Sequence, residues 1–167
     1  NKDDRQDPAA DKLQPYEIHE DDPRFSRMIG DLMDHLTKEK KYSCIVYYNL
    51  LNEPNRPSSG CADFSKWKKA VELLHAEFRN RGLEKKLKIV GPDVTMQKEF
   101  YWVDMTALQL ADKIGAYEFH EYAPVEDVES GFTEKLFYTK RMFVNKFVKN
   151  GSEIPFFLGE IGMRGIS

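Results

Sequence analysis

The sequence predicts an α/β fold built on a parallel sheet covered by helices. Three observations carry this. Short apolar runs rich in β-branched and aromatic residues alternate with stretches whose apolar residues recur at helical spacing. The run 44–51 is apolar on both faces, the pattern of a strand buried under helices. Successive runs are separated by a helix, the crossover that parallel strands require.

Residues 1–22 are polar, acidic and unpatterned, and read as a loop or truncated linker. Asp22-Pro23 has the form of a helix start, with Asp at the cap and Pro at the first helical position. Phe25, Met28, Ile29, Leu32 and Leu36 then give one apolar face. The run 44–51 is the first strand, followed by a loop over 52–62. Phe64, Trp67, Val71, Leu74 and Phe78 mark a second helix that Gly82 stops. Residues 87–91 form a short strand, 103–112 a weaker helix and 115–120 a third strand. Phe132, Leu136, Phe143 and Phe147 mark a long helix ending near Gly151, and 154–159 is the last strand.

Bulk properties narrow the function. The 167 residues suffice for a domain with a sizeable core, and 41% hydrophobic content marks it as globular. Net charge is −3, with no basic stripe interleaved with aromatics, which argues against a nucleic-acid partner. No apolar run approaches membrane-spanning length. Cys44 opens the first strand and reads as a buried thiol, Cys61 lies in a loop, and no disulfide is expected between them. His19, His35 and His75 show no metal-ligand spacing and read as surface residues.

Strands alternating with helices leave two architectures, a doubly wound sheet or a (β/α)8 barrel. No glycine-rich phosphate loop follows any strand, so the doubly wound reading lacks its usual ligand site. In a barrel the carboxyl ends of the strands share one mouth, where active sites lie. Asn52, Glu53, Asp93, His120, Tyr122 and Glu160 all fall at such ends. Glu53 and Glu160 each follow an apolar run, and a carboxylate pair of this kind is what glycoside cleavage needs. Asp93 reads as a turn former after Gly-Pro, with a place in a substrate subsite as the alternative. Glu118 reads as a structural polar residue. In Phe100-Tyr101-Trp102, Trp102 reads either as a stacking platform for a sugar or as a lid over the core.

Asn52-Glu53-Pro54, His120-Glu121-Tyr122 and Gly159-Glu160-Ile161-Gly162 together resemble the signature segments of glycoside hydrolase clan A, closest to family 5, the cellulase and mannanase family. The resemblance runs from about residue 23 onward and implies a TIM barrel incomplete in this chain, with about four strands and their helices, corresponding to strands four to seven. Residues 23–167 are then a partial (β/α)8 glycosidase domain. The resemblance implies a retaining O-glycosyl hydrolase that cleaves β-glycosidic bonds by double displacement, with Glu53 as general acid/base and Glu160 as nucleophile. It makes Asn52 the residue for the sugar 2-hydroxyl, His120 a sugar-binding or orienting group, and Tyr122 the donor that holds Glu160. Pro54 biases Glu53 towards extended backbone. The chemistry needs no cofactor and no metal.

The family's early Arg and His and its eighth-strand aromatic have no counterpart here, so the remaining barrel strands are expected from the parent chain and the isolated fragment is expected to be inactive. The substrate is expected to be an oligo- or polysaccharide, which implies an extracellular or periplasmic setting, although no targeting signal is visible. The alternatives are a catalytically inactive carbohydrate-binding barrel on the same fold and a transglycosylase of the same clan, in which a sugar replaces water.

Overall fold

The structure is a computed structural model that describes residues 18–57, 59, 61–95 and 97–164. The loop expected over 1–22 therefore lies outside the described residues up to position 17. Helix α1 (Pro23–Asp34) starts where the sequence indicates, with the Asp22 carboxylate accepting from the Arg24 backbone N–H at 2.8 Å. A π-helical turn (His35–Glu39) extends it. Then follow β1 (Tyr47–Asn49), α2 (Phe64–Asn80), β2 (Lys88–Val94), α3 (Tyr101–Gln109), β3 (Ile114–Pro124), the short α4 (Val125–Glu129), α5 (Phe132–Phe147) and β4 (Phe156–Arg164). Gly82 ends the α2 segment at φ +68°, a conformation that costs glycine little.

All four strands pair in parallel, in the order β1-β2-β3-β4. Right-handed crossovers between strands in unbroken sequential order put every helix on one face. A doubly wound sheet reverses its strand order and covers both faces; the described strands contain no reversal. The sheet is also curled. In a flat sheet β1 and β4 stand three strand spacings apart, about 14 Å. Tyr47 of β1 and Phe157 of β4 nevertheless meet edge to face, with ring centroids 5.6 Å apart. A four-stranded parallel sheet curled in this way is consistent with part of an α/β barrel.

The core lies between the sheet and the helices. Tyr117 and Phe119 of β3 turn towards it, with Trp67, Leu74, Phe78, Trp102 and Val144 supplied by the helices. Alternation along an extended strand sends Glu118, His120 and Tyr122 to the opposite, concave side. β2 and β3 are mostly buried, but the 44–51 run, expected to be buried on both faces, is not, and β4 is also open. Val46 and Tyr47 near β1 are each 42% exposed, and Ile161 on β4 is 70% exposed. Among the described strands β1 and β4 are the edges, where no strand flanks the side chains on the outer side. Regular β1 pairing is likewise confined to Tyr47–Asn49 of the expected 44–51 run. Cys44, expected to be buried, is exposed because it precedes this pairing; Cys61 is the buried thiol, and both are free.

Trp102 also needs correction as a site residue. It is 2% exposed and packs against Phe64 and Trp67, with centroids at 5.3 and 6.1 Å. This places it in the helix–sheet core, where no sugar can stack on it. No helix among the described residues is long and apolar enough to cross a membrane. Trp102→Ala should behave as a core deletion and cost about 3–5 kcal/mol in urea unfolding. A loss of glycan affinity at unchanged stability would reverse the assignment.

Candidate active site

His120 is the hub of the concave face. It is 2% exposed, yet both ring nitrogens face carboxylates. Nε2 lies 2.7 Å from Asp93 Oδ1. Nδ1 lies 3.2 Å from Glu53 Oε1 and 3.5 Å from Glu160 Oε2. A ring with acceptors at both nitrogens is best satisfied doubly protonated. Burial works against that charge. The hydrogen bond and charge of Asp93, with Glu53 and Glu160 behind it, outweigh burial and push His120 up to about 9.

Backbone irregularities aim these groups. On β4, Gly159 and Glu160 stand opposite the single residue His120, because Phe119 pairs with Leu158 and Glu121 with Ile161. On β2, Asp93 is the extra residue between the pairs Pro92–Glu118 and Val94–Phe119. Such bulges bend a strand and redirect a side chain. Asp93 has φ +58° and is 1% exposed; its second oxygen accepts from Asn49 Nδ2 at 2.6 Å. Asp93 is thus the anchor of the histidine rather than the turn former expected from Gly-Pro-Asp. Asn49 goes with it, read beforehand only as part of an apolar strand.

Glu53 sits in a turn just past β1, with Arg56 N–H donating to its carbonyl at 3.0 Å. Its φ is +45°, so the extended backbone expected before Pro54 is not adopted. A left-handed non-glycine residue costs on the order of 1–3 kcal/mol and persists only where its surroundings enforce it. Asn55 does so here. Its side chain donates to Thr95 O at 2.7 Å and accepts from Thr95 N at 3.1 Å, tying the turn to the end of β2. Glu53 is 5% exposed, and its second side-chain oxygen is held by the exposed Arg56. Asn52, beside it, is exposed.

Glu160 is more open, with its side chain 43% exposed. The Tyr122 hydroxyl donates to its Oε2 at 2.6 Å, the bond expected between these residues. Hydrogen bonding to that carboxylate raises the phenol above its usual value, so Tyr122 stays protonated as a donor. An oxygen of Glu53, an oxygen of Glu160 and a nitrogen of His120 all lie within 4.8 Å of one another. Two carboxylates that approach this closely can act on one bond between them.

Asp93, Glu118 and His120 form a second such cluster. Both clusters share the same imidazole, whose two ring nitrogens face carboxylates, so a metal held there would have to displace a ring proton. Glu53, His120, Tyr122 and Glu160 converge on one place, Asn52 is the exposed chain neighbour of Glu53, and Trp102 lies elsewhere. Asn49, Asp93, Asn55 and Arg56 belong to the site's framework and were not legible as such beforehand.

Two outcomes are expected. The folded value of His120 is raised above the unfolded one, so its contribution to stability is complete below about pH 6.5 and is lost as pH rises through about 9. Urea midpoints should decline across that window, and the decline should flatten in His120→Gln. Asn55→Ala orphans both Thr95 backbone groups and should cost about 1–3 kcal/mol in the same assay.

Compared with family models, curated proteins and solved structures, the chain gives no match in any of the three.

Proposed function

We propose that this protein is the central part of a retaining β-glycoside hydrolase, its sheet being strands four to seven of a (β/α)8 barrel. The observation that carries the reading is the approach of the Glu53 and Glu160 oxygens to within 4.8 Å, on a concave face with His120 between them. The clan A resemblance of the three motifs supports it.

In this reading Glu160 attacks the anomeric carbon. The Tyr122 hydroxyl and the His120 ring hold its Oε2, which leaves the other oxygen for the sugar. Glu53 protonates the departing oxygen. Both its oxygens are engaged in the free site, so one contact must yield to substrate. Arg56, with its side chain 55% exposed, is the one able to swing away, whereas His120 is buried. Once Glu160 is esterified its charge is gone, and Glu53 takes the proton from the incoming water. Asn52, the exposed neighbour of Glu53, is the residue this reading assigns to the sugar 2-hydroxyl. The substrate class is a β-linked oligo- or polysaccharide, which sets the reaction outside the cytoplasm.

The test uses the parent polypeptide with the remaining strands supplied. Glu160→Gln should lower turnover on β-glucan or β-mannan by roughly 10³-fold or more while leaving the unfolding midpoint in place. Glu53→Ala should lose roughly 10²–10⁴-fold on polysaccharide. On aryl glycosides with good leaving groups, which need little protonation, it should retain its first step. Equal loss on both substrates would remove Glu53 as the acid. Glycan binding with no turnover by the unaltered protein would make it a binding module instead.

A further inference from the structure

Glu118 has no role in the chemistry above, yet its carboxyl is packed into the floor of the same site. It lies two residues before His120 on β3 and so points to the same concave side. One of its oxygens, an oxygen of Asp93 and a nitrogen of His120 lie within 4.8 Å of one another. On the β4 side it fills the notch left by Gly159: a Cβ built there would overlap Glu118 Oε1, so a side chain at 159 would force that carboxyl to move. The residue preceding the proposed nucleophile is therefore bare where Glu118 needs room. Among the described ion pairs none includes Glu118, so His120 is the cation available to it.

We propose that Glu118 is a positioning residue of this site, a further carboxyl beneath His120 that keeps the imidazolium charged and so holds the ring in its contacts with Glu53 and Glu160. The proposal rests on the two-glutamate reading for its effect on catalysis, but not for its effect on His120.

The groups facing Glu118 are Asp93 from β2, His120 on its own strand and Glu160 from β4; Glu53 and Arg56 lie beyond His120. Burial, reinforced by the charges of Asp93 and Glu160 and opposed by His120, pushes Glu118 up to about 7. Its negative charge thus appears as pH passes neutrality. A negative charge favours the protonated form of every neighbour. It keeps His120 cationic, and removing it should move the His120 titration to lower pH.

The primary test needs no substrate. The His120 ring of the full chain is followed by NMR against pH and assigned by its loss in His120→Gln. In Glu118→Gln, which keeps the shape and removes the charge, His120 should titrate lower by about half a pH unit or more. Glu118→Asp keeps the charge and should stay nearer the unaltered protein. An unmoved His120 in Glu118→Gln, or equal shifts in both variants, would overturn the proposal. In the active parent polypeptide the alkaline limb of kcat/KM should move down in Glu118→Gln and recover in Glu118→Asp; a limb that stays put would sink the catalytic half. If the unaltered protein hydrolyses no glycan, the two-glutamate reading fails on its own, and the His120 titration still decides whether Glu118 governs the histidine.

Discussion

One buried cation organises the concave face of this protein. The His120 imidazolium reaches Asp93 on β2, Glu53 after β1 and Glu160 on β4, so a single ring cross-links every strand of the sheet. Carboxylates this close would repel one another across a buried floor of low dielectric. The histidine makes the arrangement tolerable, and the carboxylates in turn keep it protonated. Removing either side leaves the other as uncompensated buried charge, the costly case for buried ion pairs.

The backbone is shaped to serve that cation. Regular pairing would send Glu160 and Asp93 along directions set by the pleat, and a bulge at each of these residues breaks the pairing. Glu53 is held in a left-handed turn by Asn55, which binds the Thr95 backbone much as a neighbouring strand would. Strain of this kind persists where the surroundings over-determine it. The glycine at 159 belongs to the same scheme, since its missing side chain is the space in which Glu118 lies. The proposed acid and nucleophile thus stand on a framework whose members do no chemistry themselves.

The sequence made much of the fold legible. Asp22-Pro23 announced a capped helix start, Gly82 a stop, and the apolar periodicity of Phe64 to Phe78 a helix, because these signals act over a few residues. The motif carboxylates and the Tyr122–Glu160 bond were also foreseen. Trp102 was not resolved, because an aromatic residue beside a strand end has the same local pattern whether it faces a sugar or the core. Asp93 was read as a turn former because Gly-Pro-Asp is a turn signal, and local chemistry could not report the histidine waiting 27 residues later (120 − 93). Cys44 and the β1 run were read as buried from their apolar character, whereas their exposure depends on having a neighbour on one side only.

The sequence by itself determined the alternation of strands and helices, the parallel sheet that follows from it, and which acidic and aromatic residues stand near strand ends. These follow from periodicity, capping and crossover handedness, all local or topological rules. Only the tertiary structure decided that the strands run in unbroken order and curl, that four carboxyl groups gather around one histidine, and that Trp102 belongs to the core. Those outcomes depend on bulges, twist and contacts between residues far apart in the chain, and no local pattern encodes a distance through space.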